Sequence, residues 1–198
     1  MQIHRRPGLR AVLTASTLLS STVLASACGG SQSSSTGTTG AGTEQTAAAS
    51  PSALVGSPAP ELMLQDQSGR VRQLSEYRGS PVVLYFYPRD GTPGCTAEAC
   101  AFRDAWERIQ GTGAVVLGVS TDDVASHLAF HDEHQLPFDL LSDPDGRVAK
   151  QFGVPMTMGM ASRITFIIDD QGVVRRAFED VDPGIHADQV IAALDDLP

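Results

Sequence analysis

The run Pro81-Val-Val-Leu-Tyr-Phe-Tyr87 is almost continuously apolar, which predicts a central strand covered on both faces. Ala114–Ser120 repeats the pattern and predicts a second buried strand. Ahead of them, Leu62-Met-Leu-Gln and Val71-Arg-Gln-Leu flank Asp66-Gln-Ser-Gly69, the signature of a hairpin. Ala97, Ala101, Ala105 and Ile109 recur every four positions with charges between them, so an amphipathic helix is expected over 94–110. A helix over 123–134 and a short strand over 138–141 follow. Asp143-Pro-Asp-Gly146 then turns into a helix ending near Gly153. Two strands, 163–169 and 173–179, surround the turn Asp170-Gln-Gly172, and residues 187–194 close the chain as a helix. Strands alternating with helices predict a three-layer α/β/α sandwich carrying an N-terminal β-hairpin.

The first fifty residues follow neither period. Met1–Arg10 holds Arg5, Arg6 and Arg10, and no charged residue appears from Ala11 to Thr43. Ala11–Ala27 is apolar but diluted by Ser and Thr, and falls short of the ~20 strongly apolar residues of a spanning helix. A basic start, a short apolar stretch and small residues before a cut describe an export signal over 1–27. Leu24-Ala25-Ser26-Ala27-Cys28 resembles a bacterial lipobox. That resemblance implies cleavage before Cys28, lipidation of its sulfur, and an extracytoplasmic protein held to a membrane through that anchor. The plainer reading is an ordinary secretory signal cut after Ala27, giving a secreted or periplasmic protein. Residues 28–52 are nearly all Gly, Ser, Thr, Ala and Gln, too polar to bury a core, and are expected to be a disordered tether. Residues 53–198 are then one domain.

Charge narrows the partners. The chain carries 14 basic and 23 acidic residues. Three of the basic residues (Arg5, Arg6, Arg10) and one acidic residue (Glu44) precede residue 53, which leaves the domain 11 basic against 22 acidic. A phosphate backbone requires a basic footprint, so nucleic acid is excluded as a partner. An anionic bilayer repels such a domain, so membrane contact must come through the anchor. Three cysteines are too few for a disulfide scaffold.

The chemistry is concentrated in Tyr85–Cys100, where a buried strand ends, a polar loop follows and a helix begins. Ligands of α/β folds gather at such carboxyl ends of strands. Thr92 suits a helix N-cap and Pro93 the first helical position. Cys95 then falls in the first turn, where free backbone N–H groups and the helix dipole favour a thiolate nucleophile. Cys100 follows five positions later. An intact helix separates the two α-carbons by roughly 8–9 Å, whereas a disulfide tolerates about 7 Å at most. A bridge between them therefore requires the helix to open. Such a pair suits a switch better than a permanent crosslink.

Pro88, Thr92 and Cys95 match P-x-x-x-T-x-x-C, and the run from Tyr87 to Cys100 resembles the bacterioferritin-comigratory-protein, or peroxiredoxin Q, branch of the peroxiredoxins. Gly118-Val-Ser-x-Asp122, Leu136-Pro-Phe138, Leu141-Ser-Asp143 and Arg163-x-Thr-Phe-Ile-Ile-Asp169 extend the similarity over about 55–197. The resemblance implies a thioredoxin-like fold and a thiol peroxidase acting on hydrogen peroxide and organic hydroperoxides. It implies Cys95 as the peroxidatic cysteine and Cys100 as the resolving one, paired as an intrachain redox disulfide. Thr92 would align the peroxide oxygen, Arg163 steady the thiolate and the transferring peroxide, and Pro88 shield the sulfur. A thioredoxin-like dithiol would recycle the enzyme; no cofactor or metal is called for, and a monomer suffices.

Two other classes compete. A protein thiol–disulfide oxidoreductase of this fold usually carries C-x-x-C, and C-x₄-C departs from it. A copper carrier would draw on Cys95, Cys100 and a histidine or methionine. His127, His131 and His134 share a helical face, read as a partly solvated stripe lacking the carboxylate motif of a metal site. Met156, Met158 and Met160 are read as a packing loop. Asp143-x-Asp-Gly146 is read as a turn, not a calcium loop. Asp122-Asp123 is read as a helix cap.

Overall fold

The computed structural model describes residues 50–198. The signal segment, Cys28 and the tether up to residue 49 lie outside them. In chain order the strands are β1 (Met63–Asp66), β2 (Val71–Gln73), β3 (Val82–Phe86), β4 (Val115–Ser120), β5 (Asp139–Ser142), β6 (Met156–Thr157), β7 (Met160–Ala161), β8 (Ile164–Ile168) and β9 (Val174–Phe178). The helices are α1 (Pro93–Asp104), α2 (Trp106–Gly111), α3 (Val124–His134), α4 (Arg147–Gln151) and α5 (His186–Asp195).

Seven strands form one mixed sheet in the order β2-β1-β5-β4-β3-β8-β9. β3, β4 and β5 run parallel, as strands joined through helical crossovers must. β8 pairs antiparallel with β3, β9 with β8, and β1 with both β2 and β5. The expected hairpin is therefore present at one edge. Its turn is closed by Asp66, which is fully buried and accepts from the Ser68 and Arg70 N–H groups at 2.8 and 3.0 Å and from Arg72 Nε at 2.8 Å. Burial alone would raise its pKa, but these donors hold the carboxyl below the usual range.

Every residue of β3 is buried, as its unbroken apolar run requires. Val83, Tyr85 and Tyr87 point to the side covered by α1, α2, α3 and α5. Val82, Leu84 and Phe86 point to the side covered by α4, β7 and the segment around Leu62 and Leu74. Tyr85 sits opposite Gly118 of β4. A Cβ at Gly118 would lie 2.7 Å from the Tyr85 hydroxyl and 2.8 Å from Leu140, so only glycine lets the ring cross that strand.

Several expectations are corrected. The helix foreseen over 94–110 breaks at Ala105 (φ −91°, ψ 6°) into α1 and α2. The alanine stripe holds only in its second half: Ala97 is exposed, Ala101 packs against the core and Ala105 and Ile109 are buried in it, while the buried residues of α1 are Cys95, Glu98, Ala99 and Phe102. A large ring outweighs small side chains in choosing which face turns inward. Pro51 and Ser52, assigned to the tether, belong to a 3-10 turn (Pro51–Leu54) in which Pro51 is buried and the Ser52 N–H donates to Glu179 at 3.0 Å. The methionine loop is a small hairpin of β6 and β7; Met156 packs on the core, but Met158 at its tip is 91% exposed in a left-handed conformation, so it fills no gap.

Candidate active site

β3 ends at Phe86, and the Tyr87 N–H still donates to Val119 of β4 at 3.0 Å. The chain then crosses Pro88–Gly91 and enters α1. Thr92 occupies the N-cap position with extended backbone (φ −78°, ψ 145°), but its hydroxyl does not cap the helix. It donates instead to the Arg89 carbonyl at 3.0 Å, which corrects the capping expectation. The first N–H groups of α1 gain no partner from that side chain.

Cys95 lies in the first turn of α1 and is 2% exposed. Arg163, the residue before β8, brings Nη2 to 3.2 Å from its Sγ. A permanent positive charge thus sits against the sulfur, where it stabilises negative charge developed during reaction. Gly94 gives that guanidinium room: a Cβ there would stand 3.3 Å from Nη2. The other arm of Arg163, Nη1, is bound by the carboxylate of Glu98.

Glu98 is 1% exposed. Burial pushes its pKa up to about 7, against the opposing charge and hydrogen bond of Arg163. Its Oε1 and the hydroxyl of Tyr85 are both buried without a hydrogen-bond partner. Cys95, Arg163 and Glu98 therefore form one contiguous cluster joined through the guanidinium. Pro88 is half-buried where strand gives way to loop.

Cys100 is half-buried on the same helix, and both thiols are free. α1 is continuous from Pro93 to Asp104 and spans both cysteines. Its geometry keeps their α-carbons about 8–9 Å apart, outside disulfide range.

The histidine face divides into three different environments, and the expected partly solvated stripe holds for His131 and His134 but not for His127. His127 is fully buried with Nδ1 2.9 Å from Asp90 Oδ2. His131 meets Asp132 at 3.1 Å, and His134 stacks edge-on against Phe130. Among the described residues no group of His, Cys, Asp or Glu is placed to hold a metal ion. Asp123 caps α3 by accepting the Ser126 N–H at 2.8 Å, whereas Asp122 serves the site loop by accepting the Asp90 N–H at 2.8 Å. Asp143 closes its turn through the Val148 and Ala149 N–H groups.

Two residues of this neighbourhood were not singled out from the sequence, Glu98 and Asp90. Glu98 carried a usable signal: it is a charged residue on the helix face defined by Cys95 and Phe102.

Residues 55–177 match the AhpC/TSA family. The chain belongs to that family. It is similar to the chloroplastic peroxiredoxin Q of Oryza sativa subsp. japonica, 45% identical over 145 residues that make up 72% of this chain and 67% of that protein. Among solved structures it resembles the peroxidoxin BcpB of Mycobacterium tuberculosis (37% identity, TM-score 0.68, 73% of this chain and 97% of that one). It also resembles the bacterioferritin comigratory protein of Xanthomonas campestris, solved for insight into its alkyl peroxide reduction (35% identity, TM-score 0.64, 68% and 90%). The chain is thus a peroxiredoxin of the peroxiredoxin Q type with a thioredoxin-like fold, an oxidoreductase of the thiol peroxidase class.

Proposed function

We propose that this peroxiredoxin reduces hydrogen peroxide and organic hydroperoxides through Cys95 and closes its cycle through Cys100. The Cys95 thiolate attacks one peroxide oxygen, the O–O bond breaks, and the departing oxygen takes a proton to leave as water or alcohol. Sulfur loses two electrons and becomes a sulfenic acid. Negative charge grows on both peroxide oxygens during the step, and Arg163 is the donor that meets it. Thr92 has committed its proton to the Arg89 carbonyl, so its oxygen is free to accept from the hydroperoxide O–H. Pro88 screens the sulfur from solvent.

Cys100 then displaces the sulfenic oxygen as water and forms the disulfide. That step requires α1 to unwind over at least its first turn. A thioredoxin-like dithiol reduces the bridge by exchange and lets the helix re-form. Both cysteines lie on one helix of one chain, so a monomer is sufficient. The leader and Cys28 support export and lipid anchoring, which calls for a reductant on the same side of the membrane. Cys28→Ala should release the mature protein from membranes while leaving peroxidase turnover intact; a variant still membrane-bound would refute the anchor.

The observation that carries this reading is the Arg163 contact with a buried first-turn cysteine. The test is peroxide consumption by the full chain with a dithiol donor. Cys95→Ser should abolish turnover, and a Cys95→Ser protein that keeps it would refute the reading.

A further inference from the structure

The peptide unit joining Arg89 to Asp90 is held at both of its polar atoms. Its carbonyl oxygen accepts the Thr92 hydroxyl at 3.0 Å, and its N–H donates to Asp122 Oδ2 at 2.8 Å. Asp122 is fixed in turn by the Ser120 hydroxyl, 2.8 Å from the same oxygen. The Asp90 side chain then ties this peptide to β3 and α3. The Tyr87 hydroxyl donates to Oδ1 at 2.7 Å, the Ser126 hydroxyl to Oδ2 at 2.8 Å, and His127 Nδ1 lies 2.9 Å from Oδ2.

The Asp90 carboxylate is only 6% exposed. Burial would raise its pKa, but His127, Tyr87 and Ser126 hold it below the usual carboxylate range. An ionised carboxylate only accepts, so His127 Nδ1 carries the proton. Nε2 of the same ring is buried without a partner.

We propose that Asp90 is a positioning residue for the peroxide step. It locks the Arg89–Asp90 peptide, and that peptide dictates which way the Thr92 hydroxyl points. The inference rests on the reading of Cys95 and Thr92 given above. With the peptide fixed, the Thr92 oxygen presents its lone pairs to the incoming hydroperoxide. With it loose, the hydroxyl is free to turn. A displacement of about 1 Å at such a group can cost on the order of a hundredfold in rate. Asp90 has no part in the second step, because Cys100 reaches Cys95 only after α1 has opened and Thr92 no longer faces a substrate.

The two steps separate in rapid mixing of the reduced full chain with hydrogen peroxide. Trp106, the chain's one tryptophan, opens α2 directly after α1 and stacks on Phe138 at 6.0 Å, so its fluorescence follows the opening of α1. Asp90→Ala should slow Cys95 oxidation by up to about a hundredfold and Asp90→Asn by roughly tenfold, with disulfide closure within about twofold of wild type. The ¹⁵N shifts of His127 should report a protonated Nδ1 in wild type, and a bare Nδ1 would remove the contact by which Asp90 is held. Wild-type oxidation rates in both variants, or equal slowing of both steps, would overturn the proposal. If Asp90→Ala does not fold, Asp90→Asn decides alone. A wild-type Cys95 that ignores peroxide overturns the underlying reading, and the proposal with it.

Discussion

On one face of the sheet, Val82, Leu84 and Phe86 meet Phe152, Phe166, Leu117 and Leu141 in an apolar layer. The buried acids nearest its strand ends, Asp66 and Asp169, accept from turn N–H groups and arginines that hold their pKa values low against the effect of burial. The opposite face is built from Tyr85, Tyr87, Cys95 and Phe102, with Glu98, His127 and His186 beside them. There, Tyr85 Oη, Glu98 Oε1 and His127 Nε2 are buried without partners, against Tyr77 Oη on the first face. Native interiors rarely leave such atoms unpaired, and in an enzyme they mark where polar groups serve chemistry at the expense of packing. The first face is a scaffold, and the second trades satisfied contacts for reactivity.

Phe166→Ala probes the scaffold face alone. The ring is fully buried and lies 5.2 Å from Phe152 and 6.0 Å from Phe86. Its loss should cost about 3–5 kcal/mol in denaturant unfolding, with the peroxide rate per folded molecule unchanged. A large fall in that rate would erase the distinction between the faces. Arg163→Met probes the reactive face. Removing the charge beside Sγ should lower the peroxide rate on the order of a hundredfold to a thousandfold, and stopped-flow oxidation measures it. A variant within about threefold of wild type would remove Arg163 from the reaction.

Much of this architecture was legible in the chain. The apolar runs of β3 and β4 announced buried central strands, and Thr92, Cys95 and Cys100 lay in one quotable segment. Arg163 was legible only through resemblance, because its meeting with Cys95 depends on β8 lying beside β3. Pairings made across the sheet left no local trace. Glu98 shows in the sequence as a charge on the Cys95–Phe102 helix face, but its partner appears only when Arg163 arrives at the start of β8, and Asp90 looks like a turn residue until α3 packs over it. His127 shares a helical face with His131 and His134, yet lies beneath the site loop while they reach the surface. The alanine stripe misled only at Ala97, because periodicity counts apolar positions and ignores their size, whereas Phe102 decides which face of α1 is inside; Ala105 and Ile109 are buried as expected.

The reactive face also makes stability depend on pH in two opposing ways. Burial lowers the His186 pKa from 6.5 to about 4. Between those values the unfolded chain binds more protons, so this contribution is complete above pH 6.5 and is lost as pH falls toward 4. Glu98 is raised from 4.5 to about 7, so the folded chain binds more protons in that window and stability falls as pH rises through it. Between pH 4.5 and 6.5 the two slopes nearly cancel, so Glu98→Gln should uncover a rise of stability with pH and His186→Gln a decline. Unfolding midpoints across that range check both; parallel curves for wild type and both variants would contradict the assigned shifts. The smallest expected change is at Asp123, whose carboxylate caps α3 through the Ser126 N–H. Asp123→Ala should cost about 1 kcal/mol without changing the peroxide rate, since the side chain that serves the site loop is Asp122.

The coupling of Cys95 to Cys100 through the opening of α1 is read most directly from the intact mass of the full chain after one equivalent of peroxide, without reductant. The account predicts loss of two hydrogens within a single chain, and for Cys100→Ser a gain of one oxygen at Cys95 in its place. Wild-type protein that retains that oxygen with no bridge formed, or joins Cys95 to a second chain, would contradict it.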